Sequence, residues 1–234
     1  MTHTALTSHQ RKAARVAGVA LLLMALLAPI AFFTVLEPIR TAGDAAAQVN
    51  ALRASGTMFQ VSIVIFLTVA VLDVLVAWAL HGIFSREQSQ LSLLTAWFRL
   101  VYTALLLVAT ASLIDAQTLL QSPVQGSPHW NLLLQHDLNR FFTTFNFGLG
   151  VFGCHLVCLG YLMMRARLFP GFLGALIVIA GLGYLADTLG TLMIPQYDLN
   201  VASVTFIGEV LLIGWLIWFG WKRPGRGAET HPSY

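Results

Sequence analysis

The strongest constraint in this sequence is a pair of long apolar runs within residues 148–190, joined by the short basic segment 165–171. A bilayer core about 30 Å thick needs about 20 apolar residues per helix, and a helix satisfies its backbone polar groups internally. Each run nevertheless holds one ionisable residue, His155 in the first and Asp187 in the second. We therefore interpret the pair as a transmembrane hairpin that carries charge into the membrane.

The same pattern occurs twice more, so the chain predicts an all-α, polytopic integral membrane protein with a six-transmembrane-helix bundle. Charged residues are 10% and hydrophobic residues 57% of the chain, whereas soluble proteins carry about 25% charge. We expect a basic N-tail (1–15), a transmembrane domain (16–221), a long loop (119–139) and a disordered C-tail (222–234). The predicted spans are 16–36, 58–84, 91–118, 140–164, 170–194 and 200–221. Asp44 is expected to cap a short surface helix after the first span.

Basic residues predict the orientation of the bundle. Six spans put both termini on one side, and that side carries nine lysines and arginines against three on the other. The nine are Arg11, Lys12, Arg15, Arg86, Arg165, Arg167, Lys222, Arg223 and Arg226, and the three are Arg40, Arg53 and Arg140. Since Lys and Arg concentrate on the cytoplasmic side, we expect both termini in the cytoplasm.

Six ionisable residues fall inside the predicted spans, where a charge costs about 2.5–3.5 kcal/mol to insert. Depths counted at about 1.5 Å per residue place them in two layers. The inner layer consists of Asp73, Arg99 and His155. Asp73 and Arg99 lie at similar depth on spans joined by a short turn, which favours a buried salt bridge. A substrate or proton site remains the alternative reading of the same cluster.

His155 lies on a helix face rich in small and polar residues, a pattern typical of close helix packing in lipid. A packed, hydrogen-bonded histidine is the first interpretation. Cys154, His155 and Cys158 also share one arc of that helix and form a weak candidate set for zinc or copper. No fourth ligand is evident nearby, so we expect no metal and no cofactor.

The outer layer is acidic, with Asp115, Asp187 and Glu209. Asp187 and Glu209 belong to neighbouring spans, and Arg140 supplies a basic group at the outer start of the fourth span. We hypothesise one outward-opening pocket formed by Asp115, Arg140, Tyr184, Asp187 and Glu209. A pair of acids sharing a proton would suit proton-coupled transport or acid–base chemistry, while helix-stapling hydrogen bonds are the structural alternative.

Three functional classes remain open. The first is a small-molecule or proton-coupled carrier or receptor whose buried polar residues line a cavity. The second is a membrane-embedded enzyme that uses the acid pair or His155 as acid and base, although no catalytic residue can be assigned. The third is a non-catalytic accessory subunit. The expected partners are the lipid bilayer and a small-molecule or cation ligand, nucleic-acid binding has no support, and the sequence leaves homo-oligomerisation open.

Several short motifs resemble a bacterial membrane family known only as domain of unknown function 4386. The strongest are Gly160-Tyr161-Leu162, Leu168-Phe169-Pro170, Leu173-Gly174 and the run 180–187, and the likeness extends over about residues 12–222. Asp73-Val74-Leu75, Arg99-Leu100, His155 and Gly208-Glu209 also look like the pattern of that family. The resemblance implies a six-helix membrane domain with no assigned activity. From the length of the apolar runs and the basic asymmetry we expect a multi-pass protein of a bacterial plasma (inner) membrane.

Overall fold

Six helical segments in the described part of the chain are long and apolar enough to cross a membrane. The computed structural model describes residues 7–122, 127–166 and 168–221. Within them the segments are Ser8–Arg40, Thr57–Phe84, Ser89–Leu120, His129–Ala166, Gly171–Met193 and Ala202–Trp221. The prediction of an all-α bundle with six transmembrane helices is confirmed, and the chain is a multi-pass membrane protein.

Two of the six segments are interrupted. The first consists of α1 (Ser8–Ala31), a π-helical turn (Phe32–Leu36) and α2 (Glu37–Arg40), and the last consists of α8 (Ala202–Thr205) and α9 (Ile207–Trp221). The remaining helices are α3 (Ala45–Ser55), α4 (Thr57–Phe84), α5 (Ser89–Leu120), α6 (Pro128–Ala166) and α7 (Gly171–Met193). The short helix expected after Asp44 is α3, because the carboxylate of Asp44 accepts a hydrogen bond from the N–H of Ala47 at 2.8 Å.

The first helix begins earlier than predicted. Thr7 and Gln10 form a capping box, in which the Thr7 hydroxyl accepts from the Gln10 N–H and the Gln10 side chain accepts from the Thr7 N–H. Residues 8–15 of the expected tail are therefore helical, because a helix can continue past the apolar core of the bilayer where its polar side chains meet headgroups and water. Residues 1–6 and the expected disordered tail 222–234 lie outside the described residues.

The long loop expected over residues 119–139 is largely helix, which corrects that prediction. α6 begins at Pro128, a position that proline tolerates because the first turn of a helix leaves its N–H groups unpaired. The indole of Trp130 is buried and donates to the carbonyl of Leu119 at 3.1 Å. With 39 residues, α6 is about 58 Å long, so it projects well beyond a bilayer core.

The six segments form a closed ring in chain order. α1 packs on α4, α4 on α5, α5 on α6, α6 on α7, α7 on α9, and α9 returns to α1. The guanidinium of Arg15 donates to the carbonyl of Gly220 at 2.6 Å and joins the start of α1 to the end of α9. We call the end of the ring that contains this contact the termini end.

Glycines make the contact between α6 and α7 close. A Cβ atom on Gly153 would collide with the carbonyl of Gly181, and one on Gly160 would collide with the carbonyl of Gly174. In lipid, helices associate mainly through such close backbone approach, because the hydrophobic effect does not drive them together. α6 and α7 therefore form a closely packed hairpin.

Labelling at two exposed positions on opposite ends of the bundle tests its orientation. The starting protein is a cysteine-free variant in which Cys154 and Cys158 are both replaced by alanine. A single cysteine is then introduced at an exposed position, either Asn50→Cys on α3 or Glu87→Cys on the turn between α4 and α5. We expect a membrane-impermeant thiol reagent to label Glu87→Cys only from the cytoplasm and Asn50→Cys only from outside. The reverse pattern in sealed, oriented vesicles would contradict the predicted topology.

Candidate functional site

Polar side chains from five of the six segments share one layer in the middle of the ring. Counted along each helix from the termini end, they lie about 15–20 Å deep. The members are Asp73 on α4, Arg99 and Tyr102 on α5, His155 on α6, Tyr184 on α7 and Glu209 on α9. We call these six residues the central cluster. The remaining segment, which contains α1, instead has small residues such as Ala14, Ala17 and Gly18 on its buried face near the termini end.

An ion pair forms the core of the central cluster. A guanidinium nitrogen of Arg99 lies 2.6 Å from a carboxylate oxygen of Asp73, and both side chains are almost fully buried, at 2% and 0% exposure. Neighbouring helices α4 and α5 bring the two residues together, since each lies about 15 Å from the short turn that joins them. Mutual neutralisation is what allows both charges to remain in the membrane interior.

Arg99 also holds His155 in one tautomer. The Nδ1 atom of His155 lies 2.8 Å from the carbonyl oxygen of Thr95, which can only accept, so Nδ1 carries the proton. The Nε2 atom lies 3.1 Å from Arg99 Nη1, and a guanidinium only donates, so Nε2 accepts. His155 is therefore a neutral imidazole whose two nitrogens are both occupied. The guanidinium also lies over the ring of Phe152, 5.4 Å from its centroid.

Several polar atoms of the central cluster are buried without a well-directed hydrogen bond. Among the described residues these include both carboxylate oxygens of Asp73, Nε of Arg99 and Oε1 of Glu209. For Asp73 the short approach of Arg99 is an ion pair by distance, whereas its angles fall outside hydrogen-bond geometry. A buried polar atom without a partner is costly, so the cluster has unused capacity for a bound group.

Glu209 belongs to the central cluster. The Tyr184 hydroxyl of neighbouring α7 lies beside its carboxyl group, and the charge of Arg99 acts on it. Gly208 makes this position possible, because any Cβ there would collide with the α7 backbone at Leu176. The sequence analysis assigned Glu209 to an outer layer because its depth was counted from the outer end of its span. The spans differ in length, so depths counted from their outer ends cannot be compared with one another.

The five residues of the hypothesised outer pocket therefore do not form one group. Arg140 donates to Asp115 at 2.7 Å and to Ser112 at 2.8 Å. Because α5 and α6 are long, this pair lies about 39 Å from the termini end, roughly 20 Å beyond Glu209. The Asp115 and Arg140 side chains are about half exposed, at 55% and 45%, so the pair is a surface ion pair of small energetic value.

Asp187 has a third environment. Its carboxylate accepts hydrogen bonds from the N–H groups of Val201 and Ala202 at 2.9 and 2.7 Å and from the Tyr197 hydroxyl at 2.8 Å. It thus caps the start of α8 and ties the preceding loop to α7. The bond to this carboxylate raises the pKa of the Tyr197 phenol, since ionising the phenol would break the bond and place two negative charges together.

The weak metal hypothesis loses its central ligand. Both nitrogens of His155 are occupied by Thr95 and Arg99, while Cys154 and Cys158 are half-buried free thiols on the same helix. In the described part of the chain, no group of three or more metal-binding side chains comes together. We therefore assign no metal role to these residues.

Aromatic rings fill the bundle on both sides of the central cluster. Toward the outer end, Phe66 of α4 lies 5.3 Å from Phe141 and 6.1 Å from Phe145 of α6 by ring centroids, and Phe32 lies 5.9 Å from Phe145. We call Phe32, Phe66, Phe141, Phe142 and Phe145 the outer aromatic layer. Phe84, Phe169, Trp215 and Phe219 form a corresponding inner aromatic layer at the termini end, with centroid separations of 5.3–6.4 Å.

A narrow cleft leads from the termini end to His155. It runs between α4, α5 and α6, and its polar lining consists of His81, Ser92, Thr95 and His155. His81 Nδ1 lies 3.0 Å from the Ser92 hydroxyl near the mouth. The cleft has no room for a water molecule in this conformation. In this conformation the cleft therefore gives water no access to the central cluster from the termini end.

Comparison with known proteins identifies the family. The chain matches the family described as "Domain of unknown function (DUF4386)" over residues 16–220. This protein belongs to the DUF4386 family. It is also similar to an uncharacterized protein of Archaeoglobus fulgidus, with 34% identity over 161 residues that cover 69% of this chain and 85% of the relative. No solved structure matches the chain.

Tyr102 and Phe152 of this DUF4386 protein were missed by sequence reasoning. Tyr102 is buried three residues after Arg99, and its ring lies 4.9 Å from that of Phe152, which in turn lies 5.5 Å from Tyr184. Helical spacing was the available signal, because residues three apart from Arg99 and His155 share their helix faces. In a chain this rich in aromatics, that spacing alone does not separate a cluster residue from an ordinary packing residue.

A double-mutant cycle tests the buried ion pair of this DUF4386 protein. We expect Asp73→Asn to destabilise the folded state by about 3–5 kcal/mol, because it leaves the Arg99 charge buried without its partner. The paired change of Asp73→Leu with Arg99→Leu should cost less, and Asp115→Asn, a matched change in an exposed pair, should cost under about 1 kcal/mol. Unfolding free energies in detergent micelles provide the measurement. The coupling is disproved if the Asp73→Leu/Arg99→Leu double variant loses as much unfolding free energy as the Asp73→Leu and Arg99→Leu single variants added together.

Proposed function

We propose that this protein is a proton-coupled carrier of a small molecule, with the central cluster as its binding region. One observation carries the proposal: a cluster of ionisable side chains, of which Asp73, Arg99 and His155 are buried, lies between two aromatic layers, and the cleft that leads to it is too narrow for water. A carrier must pass through such a closed state, since its site opens to one side of the membrane at a time. Charged residues inside a membrane are costly and are most often functional.

The ring explains how access can alternate. The glycine contacts make α6 and α7 a rigid hairpin, whereas the first and last segments are interrupted by a π-helical turn and by the break at Phe206. Discontinuous helices form the binding sites of many transporters, and the break at Phe206 lies three residues before Glu209. The π-helical turn lies farther toward the outer end and provides a second place where a segment can bend. Movement of these segments against the α6–α7 hairpin would open one aromatic layer while the other stays packed.

The proposal locates the carrier in a bacterial plasma membrane with both termini in the cytoplasm, since basic residues concentrate at the termini end. Its partners are the lipid bilayer and a small-molecule or cation ligand. The cleft lined by His81 and Ser92 is then the cytoplasmic route, and the outer aromatic layer is the barrier to the outside.

Solvent access at two buried serines tests this function. In the cysteine-free variant, Ser92→Cys reports on the cleft and Ser62→Cys reports on the outer half of α4, since both serines are at most 1% exposed. We expect an impermeant thiol reagent to react with Ser92→Cys from the cytoplasm under one pH gradient. Under the opposite gradient it should react with Ser62→Cys from outside, while the other site becomes protected.

Ser89→Cys is the matched control, because Ser89 is exposed at the start of α5 and should react equally under both gradients. Simultaneous reaction at Ser62→Cys and Ser92→Cys would indicate a channel and overturn the proposal. Reaction at only one site under both gradients would indicate a receptor. Protection of both sites under both gradients would indicate an accessory subunit.

A further inference from the structure

The charge balance of the central cluster is incomplete. With Asp73 and Glu209 ionised, Arg99 charged and His155 neutral, the cluster would carry one net negative charge near the middle of the membrane. Arg99 is already paired with Asp73 at 2.6 Å, and no ion pair to Glu209 occurs within the described ranges. Glu209 is partly exposed as a residue, but its Oε1 atom is buried, so the carboxyl group needs a positive partner or a proton at this depth.

A proton fits this site better than any larger cation. The Oε1 atom of Glu209 is buried and has no hydrogen-bond partner among residues 7–122, 127–166 and 168–221. Leu176, Ile177 and Thr205 press close around neighbouring Gly183 and Gly208, so packing here is tight. A proton needs no cavity, and it removes the charge at the atom that lacks a partner.

The groups that face Glu209 limit what else can neutralise it. α7 contributes Tyr184 beside it and Asp187 farther along, while α4, α5 and α6 contribute Asp73, Arg99, Tyr102 and His155 to the same layer. In α1, which also packs on α9, the titratable residues His9, Arg11, Lys12 and Arg15 all lie within its first two turns, far from this depth. Among these groups at the depth of Glu209, Arg99 is the one that carries a positive charge.

We infer that Glu209 is the proton-binding residue of the carrier proposed above, and that Arg99 pairs alternately with Asp73 and with Glu209. In this proposal Glu209 holds the proton while Arg99 pairs with Asp73, which is the pairing that the structure shows. Loss of the proton takes place when the cluster opens to water on one side: the O–H bond of the Glu209 carboxyl breaks, and a water molecule takes the proton as hydronium and leaves a carboxylate. The new charge attracts Arg99, which turns from Asp73 and from Nε2 of His155 toward Glu209, while the entering water hydrates the Asp73 carboxylate.

This exchange links proton binding to the barrier. Arg99 lies over Phe152, whose ring contacts both Tyr102 and Tyr184, so a shift of the guanidinium moves the aromatic contacts between α5, α6 and α7. His155 lines the inner end of the cytoplasmic cleft, and its release changes that wall. One proton thereby acts on both the central cluster and the route that leads to it.

Infrared spectroscopy of the protein in bilayers tests the inference without any transport measurement. We expect a carbonyl-stretching band of a protonated carboxylic acid at neutral pH that disappears as the pH is raised. The band should be absent from Glu209→Gln and retained in the matched control Asp187→Asn. A band that survives in Glu209→Gln, or no titrating band in the wild-type protein, would overturn the assignment.

The infrared result and the accessibility result separate the two proposals. A Glu209 band without alternation at Ser62 and Ser92 leaves the proton site standing and removes the carrier. Alternation without the band leaves the carrier standing and removes Glu209 as its proton-binding residue. If both hold, Glu209→Gln should fix the accessibility of Ser92→Cys in one state under either pH gradient.

Discussion

One buried guanidinium organises the interior of this membrane protein. Arg99 contacts Asp73, the imidazole of His155 and the ring of Phe152, so it connects α4, α5 and α6 through a single group. A guanidinium stays charged at any biological pH, and a membrane interior offers it no water. The helices must therefore bring a carboxylate and other electron-rich groups to it, and this requirement explains why polar residues converge at one depth.

Close helix packing makes that convergence possible. Gly153, Gly160, Gly174 and Gly181 let the α6 and α7 backbones approach, and Gly208 does the same between α9 and α7. These contacts bring the side chains of Tyr184 and Glu209 together beside the ion pair. These small residues set the distance between the helices and thereby the contacts of the site, since a larger side chain at Gly208 would push Glu209 away from Tyr184.

Much of the fold could be predicted from the sequence, because lipid requires long apolar helices and sets their minimum length. The capping of α3 by Asp44 was equally readable, since it depends on residues only three apart. The helical start of α6 was missed, because Pro123, Gly126 and Pro128 favoured a loop. A local signal was present, since Trp130, Leu134 and Leu138 recur every four residues and are all buried on one face of the helix. Boundaries of this kind depend on tertiary contacts such as the burial of Trp130.

The candidate site, like the fold, could be predicted from the sequence only in part. Asp73, Arg99 and His155 were grouped from their depths on helices of similar reach, and the structure brings them together. Arg140 and Glu209 were grouped wrongly, since depth measured from an outer end has no common origin when one helix spans 39 residues and another spans 15. The capping role of Asp187 depends on the path of the loop before α8, which hydropathy does not encode.

The state of His155 tests the central claim most directly, because only the arrangement around Arg99 determines it. Solid-state nitrogen NMR of histidine-labelled protein in bilayers can identify its signal as the one lost in His155→Gln. The structure predicts a neutral ring at neutral pH, with the proton on Nδ1 and a hydrogen-bonded, unprotonated Nε2. A doubly protonated imidazolium, or a neutral ring with its proton on Nε2, would contradict the shared guanidinium on which the account rests.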